Sequence, residues 1–160
     1  MAVTPEQNLA HLEQVRRRAR YGATAAATAM AKYVRDRARD DTLQRTRHQK
    51  GEWYRQRPGE PPARASGALI RDMFYKPASG GLRATALAGN KSEYGRILEF
   101  GCVIVPVNRK FMHWTDSGGS WYHTMLVVPA HPYLSTTTDE AIDDGELQRA
   151  AVEAFRDYDP

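Results

Sequence analysis

The sequence predicts an α+β fold: an antiparallel sheet packed with a long N-terminal helix, a short central helix and a C-terminal helix, plus an extended arm and a hairpin. Three observations predict it. Apolar residues recur at three- and four-residue steps along the first quarter of the chain, short apolar runs between glycine-containing turns fill its middle, and a second helical pattern closes it. The 160 residues, 41% hydrophobic and 26% charged, suffice to close one core and not two. The chain is therefore taken as a single domain over 1–160: a helix at 4–39, an arm or long loop at 40–65, and a compact unit of sheet and helices at 66–160.

The first helix opens on Thr4, Pro5 and Gln7. These supply a capping hydroxyl, a proline at the position where a missing amide costs nothing, and a side chain that reaches back to the cap. Leu9, Leu12, Val15, Ala19, Ala23, Ala26, Met30 and Tyr33 then form one apolar stripe. The middle stretch "GATAAATAMA" is small enough for a neighbouring backbone to approach closely. It lies between two arginine runs, "RRRAR" and "RDRAR", which read as the solvated basic face of a helix lying on a sheet.

The following stretch, rich in arginine, proline and glycine, has too few apolar residues for a core and reads as the arm. Its bulky anchors are Trp53 and Tyr54. Aromatics in such a position stack on bases or dock on protein, and docking on the same domain or on a neighbouring subunit is favoured.

In the compact unit, Leu69, Ile70, Met73 and Phe74 have helical spacing, and Ser79, Gly80 and Gly81 turn the chain into a strand. Ser92 is placed to cap a short helix in which Tyr94, Ile97, Leu98 and Phe100 face the sheet. Gly101 ends that helix in a left-handed conformation and directs the strand "CVIVP". "KFMHW" and "WYHTMLVV" form a hairpin around "TDSGGS". Thr137 and Glu140 predict a capping box for the last helix, which contains Ile142, Leu147, Ala151 and Phe155 and is bent or delayed at Gly145.

Candidates for chemistry are few. His113, His123 and His131 lie near one another and near Asp116, with His113 and His123 as cross-strand neighbours, but no rigid third zinc ligand is indicated. The histidines therefore read as surface or interface residues. Glu99 and Asp116 have no spacing that would bring two carboxylates to one reaction centre, and Glu99 reads as a hydrogen-bonding residue at its turn. Cys102, the single cysteine, lacks a basic partner and reads as a small buried side chain. No glycine loop carries the lysine of a phosphate cradle. Neither catalysis, a cofactor nor a metal is expected. The formal charge of +4 and pI near 9.3 permit contact with nucleic acid or acidic surfaces without demanding it, and a basic nucleic-acid-binding protein, with the arginines of "RRRAR", "RDRAR" and "RTRHQK" on phosphates and Trp53 or Tyr54 on bases, is an alternative reading. A single cysteine, no signal-peptide pattern and no membrane-length apolar run point to a soluble protein made in the cytoplasm.

"YGRILEFG", with "RPGEPPARASGALIRDMF" before it and "KFMHW", "GG" and "MLVVPAHPYL" after it, resembles the small neck and tail-completion proteins of tailed bacteriophages. Two related groups share the pattern, the minor tail component family of lambdoid phages and the Mu-type virion morphogenesis family. The resemblance spans about Arg57 to Leu134. It carries over to Gly67 and Leu69, to Tyr94, Glu99, Phe100 and Gly101, and to Pro132, Tyr133 and Leu134, and Leu98 is taken with them as part of the same structural motif. Cys102 stands where these families carry threonine or another small residue, His131 where they carry arginine, and Tyr133 where they carry phenylalanine. The resemblance implies a non-catalytic virion protein, assembled in the bacterial cytoplasm into a hexameric ring at the neck. Its partners would be other copies of itself, the connector and the tail tube proteins, with DNA passing through the channel. Joining heads to tails and terminating the tail tube are both within the families' roles.

Overall fold

The computed structural model describes residues 4–45, 57–62, 67–116 and 118–157. Helix α1 (Pro5–Asp40) begins as expected: the Thr4 hydroxyl accepts from the Gln7 amide at 3.3 Å, and the Gln7 side-chain oxygen accepts from the Thr4 amide at 3.0 Å. Its 36 residues make a rod about 54 Å long. The side chains of 4–18 are exposed, whereas Gly22, Ala27, Ala31, Val34 and Ala38 are buried. The rod is thus anchored by its C-terminal half.

Strands β1 (Met73–Ser79) and β2 (Thr85–Asn90) pair antiparallel against that half, with Met73 opposite Asn90 and Ser79 opposite Thr85. The Thr28 hydroxyl accepts from the Ala78 amide at 3.0 Å and pins β1 to the helix. Helices α4 (Leu134–Asp143) and α5 (Glu146–Arg156) also pack on α1. A Cβ on Gly22 would lie 2.6 Å from the Phe155 ring, so the small residues of α1 admit a second helix as well as a sheet.

The expected helix through Leu69, Ile70, Met73 and Phe74 is corrected. Helix α2 (Ala68–Arg71) is a single turn closed by the Asp72 amide on the Ala68 carbonyl, and Met73 and Phe74 already belong to β1. Leu69 and Ile70 still reach the core, because the turn places them beside it. The arm is corrected at both ends too. After α1 the chain enters a 3-10 turn, Thr42–Gln44, in which Thr42 and Leu43 are buried. At 57–62 it lies against the domain, the Gly59 amide donating to the Ala130 carbonyl at 3.0 Å. Trp53 and Tyr54 lie outside the described residues.

Helix α3 is Glu93–Phe100, followed by β3 (Cys102–Ile104), β4 (Met112–Asp116), β5 (Gly119–His123) and β6 (Leu126–Val128). Among the described residues the strands form three two-stranded antiparallel ladders: β1 with β2, β3 with β6 and β4 with β5. The expected arm "WYHTMLVV" is therefore split. Trp121 to His123 pair with β4, and Leu126 to Val128 cross to β3. Helix α4 starts three residues before Thr137, which puts that residue inside the helix and removes the expected capping box. Gly145, at φ 69° and ψ 8°, separates α4 from α5 as the sequence suggested.

The core consists of Ala38, Leu43, Met73 and Tyr133, with Leu69, Ile70 and Leu134 against it. Around it, hydrogen bonds tie the two ends of the domain together. Thr137 donates to the Tyr133 carbonyl at 2.5 Å, so in the buried 2.7 Å contact between Thr42 and Thr137 the proton comes from Thr42. Arg45 makes a bidentate pair with Glu140 at 2.6 and 2.7 Å and also reaches Asp41 at 2.8 Å. A further ion pair joins Arg37 to Asp144 at 2.8 Å.

Candidate functional site

The motif residues of α3 and of the segment before α4 meet in one junction. Helix α4 has no side-chain cap of its own, which would leave the first amides of a partly buried helix without acceptors. Glu99 supplies them from outside. Its carboxylate accepts from the amides of Tyr133 at 2.9 Å, Leu134 at 3.0 Å and Ser135 at 2.9 Å, and from the Ser135 hydroxyl at 2.7 Å. Burial pushes the Glu99 carboxyl upward, but the Ser135 hydroxyl and the three amides outweigh it and hold the group below the usual carboxylate range. A negative charge at a helix N-terminus also matches the dipole. Glu99 is thus the hydrogen-bonding residue expected, although its partners lie 34 to 36 positions away.

The backbone completes the joint. The His131 amide donates to the Leu98 carbonyl at 2.6 Å. Gly101 has φ 69° and ψ 168°, an extended mirror region open essentially to glycine alone and distinct from the left-handed helical conformation expected. A Cβ there would stand 2.8 Å from the Val128 carbonyl oxygen and 2.9 Å from the Ala130 amide nitrogen. Gly101 therefore brings β3 alongside β6 at a distance no side chain permits. On the other face of α3, a Cβ on Gly95 would lie 2.8 Å from the Tyr133 hydroxyl and 3.0 Å from Asn90 Cβ.

Tyr133 is fully buried beneath this helix, and its hydroxyl has no hydrogen-bond partner among the described residues. Burial pushes its phenol well up and the nearby Glu99 charge adds to the effect, while the Asn90 side chain beside the hydroxyl, outside good hydrogen-bond geometry, acts in the opposite direction. Asn90 donates to the Leu69 carbonyl at 2.8 Å and accepts from the Ser92 amide at 2.8 Å, which joins α2, β2 and α3. Gly67, at φ 73°, precedes α2. Leu69, Leu134 and Tyr133 share the core.

Two motif residues stand elsewhere. Tyr94 and Phe100 are 70% and 76% exposed and do not hold α3 on a sheet. On an eight-residue helix at about 100° per residue, Gly95, Leu98 and Glu99 share the inner face, and Phe100 falls far from it. The sequence reading chose the bulky residues and missed the glycine at closest approach. A glycine inside a helix, which costs about 1 kcal/mol against alanine, was the available signal.

Several large apolar side chains after α3 are exposed. Val103 on β3, Val127 on β6, Tyr122 on β5 and Met125 between the last two are all more than half exposed, and Val107 is 91% exposed. Of the histidines, His113 faces Tyr122 across the ladder, with ring centroids 4.6 Å apart, and His123 faces Met112. Being one step out of phase, the two histidines point to opposite faces of the hairpin, not toward each other. His131 is corrected from surface to buried: its Nδ1 lies 3.0 Å from the Glu60 carbonyl, which can only accept, so Nδ1 carries the proton. No cluster of three or more metal-ligating side chains occurs among the described residues. Cys102 is half-buried at the start of β3. No described helix is long and apolar enough to cross a membrane.

Comparison with known proteins found no match: no family model, no curated sequence and no solved structure aligns with this chain. The arrangement is a mechanical one, in which a carboxylate cap, two glycine contacts and a buried ring fix the angle between α3, α4 and the β3–β6 ladder.

Proposed function

We propose that this chain is a structural virion protein of a tailed bacteriophage, without catalysis, that completes the neck and joins heads to tails. It works as one subunit of a hexameric ring around the DNA channel, in contact with the connector on one side and the tail tube on the other. The observation that carries the reading is the set of large apolar side chains left exposed between 100 and 127: Phe100 at the end of α3, the cross-strand pair Val103 and Val127, and Tyr122 and Met125. Large apolar side chains exposed in such number suit a subunit that is covered in an assembly. Among the described residues each ladder has two strands and so presents open edges, which a neighbouring copy can extend; a head-to-tail contact that closes makes a ring.

The resemblance supplies the place of assembly. The residues that carry it, from Leu69 through Glu99 and Gly101 to Leu134, act here as the joint between α3, the start of α4 and the β3–β6 ladder. Deletion of the gene should leave DNA-filled heads and finished tails accumulating separately, as counted by electron microscopy of lysates. Tails of abnormal length would assign the protein to termination of the tube. Normal joined particles would reject the neck role.

A further inference from the structure

Two arginine runs that look alike in the sequence end in different surroundings. In the second run, Arg35 is paired with Asp36 at 2.6 Å, Arg37 with Asp144 at 2.8 Å and Arg39 with Asp40 at 3.0 Å. That run is neutralised within the domain. In the first run, Arg16, Arg17 and Arg20 pair with no acid among the described residues. They line one wall of a groove of about 550 Å³ between α1 and the β1–β2 turn. The opposite wall is the bare backbone of Gly80 and Gly81, and Glu13 also faces the space.

We infer that this groove binds the phosphodiester backbone of a nucleic acid. Three guanidinium groups against one carboxylate leave a net positive site, and planar guanidinium forks suit phosphate oxygens, which they meet in pairs. Arg16 and Arg20 stand one helical turn apart, about 6 Å along the axis, so they meet successive anionic groups better than a single one. The glycine wall lets a backbone approach without a side chain in the way; an added Cβ on Gly80 meets nothing within 4 Å. Tyr21, half-exposed at the edge of the groove, offers a ring to a base, which an acidic protein segment would not use. The site does not rest on the neck assignment, since its residues lie on α1 and the β1–β2 turn and none belongs to the junction.

The test is fluorescence anisotropy of the full chain with a labelled 20-base DNA strand, the same sequence as duplex, and a labelled 20-residue oligoglutamate, over a range of salt. Binding of strand or duplex is expected to weaken at least about tenfold in R16A/R17A/R20A, with the log–log salt slope shallower by about 2 to 3. G80E, which adds an acid to the groove and leaves α1 untouched, should weaken it in the same direction. R39A, in the neutralised run, should change it less than about twofold. Preference between strand and duplex identifies the source of the phosphates. The proposal is overturned if DNA does not bind, if R39A weakens binding as much as G80E does, or if a folded R16A/R17A/R20A or G80E chain binds as tightly as wild type. Arginine-dependent binding of oligoglutamate alone would overturn it as well, and would make the groove a site for an acidic protein.

Discussion

At the scale of single residues, Glu99 shows how one side chain does work that neither of its own neighbours reveals. Its charge is held by three amides and a hydroxyl at the start of α4. Replacing it by glutamine removes the charge and should cost roughly 1 to 3 kcal/mol at neutral pH, as measured by urea unfolding. The folded carboxyl titrates below its ordinary value of about 4.3, so its contribution is fully present above that value and is lost as pH falls through the lowered one. The gap between wild type and Glu99→Gln should therefore narrow as pH is taken below about 4. A gap that stays constant into acid would mean the cap is not ionised.

Tyr133 makes the opposite case. A buried hydroxyl without a partner of good geometry costs stability, and the core that Tyr133 shares with Ala38, Leu43 and Met73 is otherwise apolar. Tyr133→Phe should leave the melting temperature unchanged or raise it, and a clear fall would reveal an unseen partner. Gly101→Ala should lose more than about 2 kcal/mol, since both the backbone angle and the contacts at 2.8 and 2.9 Å exclude a side chain.

At the scale of elements, what could be read from the sequence depended on how local the cause was. The start of α1 was legible because Thr4, Pro5 and Gln7 satisfy each other within one turn. The break at Gly145 and the turn at Ser79 to Gly81 were legible for the same reason. The capping of α4 was not: its acceptor comes from α3, and Thr137, which looked like a cap, is spent on Thr42 and on its own helix. Nor was the split of "WYHTMLVV" between two ladders, since the choice of partner for Leu126 to Val128 was made by β3, far back in the chain. The burial of Leu43 was not legible because it is a lone leucine in a stretch rich in arginine, proline and glycine. Leu43 is almost fully buried, and Arg45 is clamped to Glu140 and Asp41, whose carboxyls its guanidinium holds below their ordinary range. Leu43→Ala should cost roughly 2 to 5 kcal/mol in thermal or urea unfolding. A wild-type melt would show that the 3-10 turn is not part of the core.

At the scale of the whole molecule, stability and assembly are assigned to different surfaces. The inner face of α3, through Gly95, Leu98 and Glu99, holds the fold. Its outer side, with Phe100, is exposed and is the surface that the proposed neck role would give to partners. A substitution at Phe100 should therefore separate the two properties. Phe100→Asp should melt within about 0.5 kcal/mol of wild type, as surface changes do, while a charge at the centre of an apolar contact should prevent docking.

The decisive measurement is complementation in vitro. Purified wild-type protein and Phe100→Asp protein, matched in melting temperature, are added separately to a lysate of the deletion phage that holds unjoined heads and tails, and infectious particles are counted. Wild type should restore infectivity in proportion to the amount added, as a stoichiometric part does, and Phe100→Asp should restore none. Equal restoration by both proteins would contradict the claim that this face makes the joint, and failure of wild type to restore any would contradict the neck assignment itself.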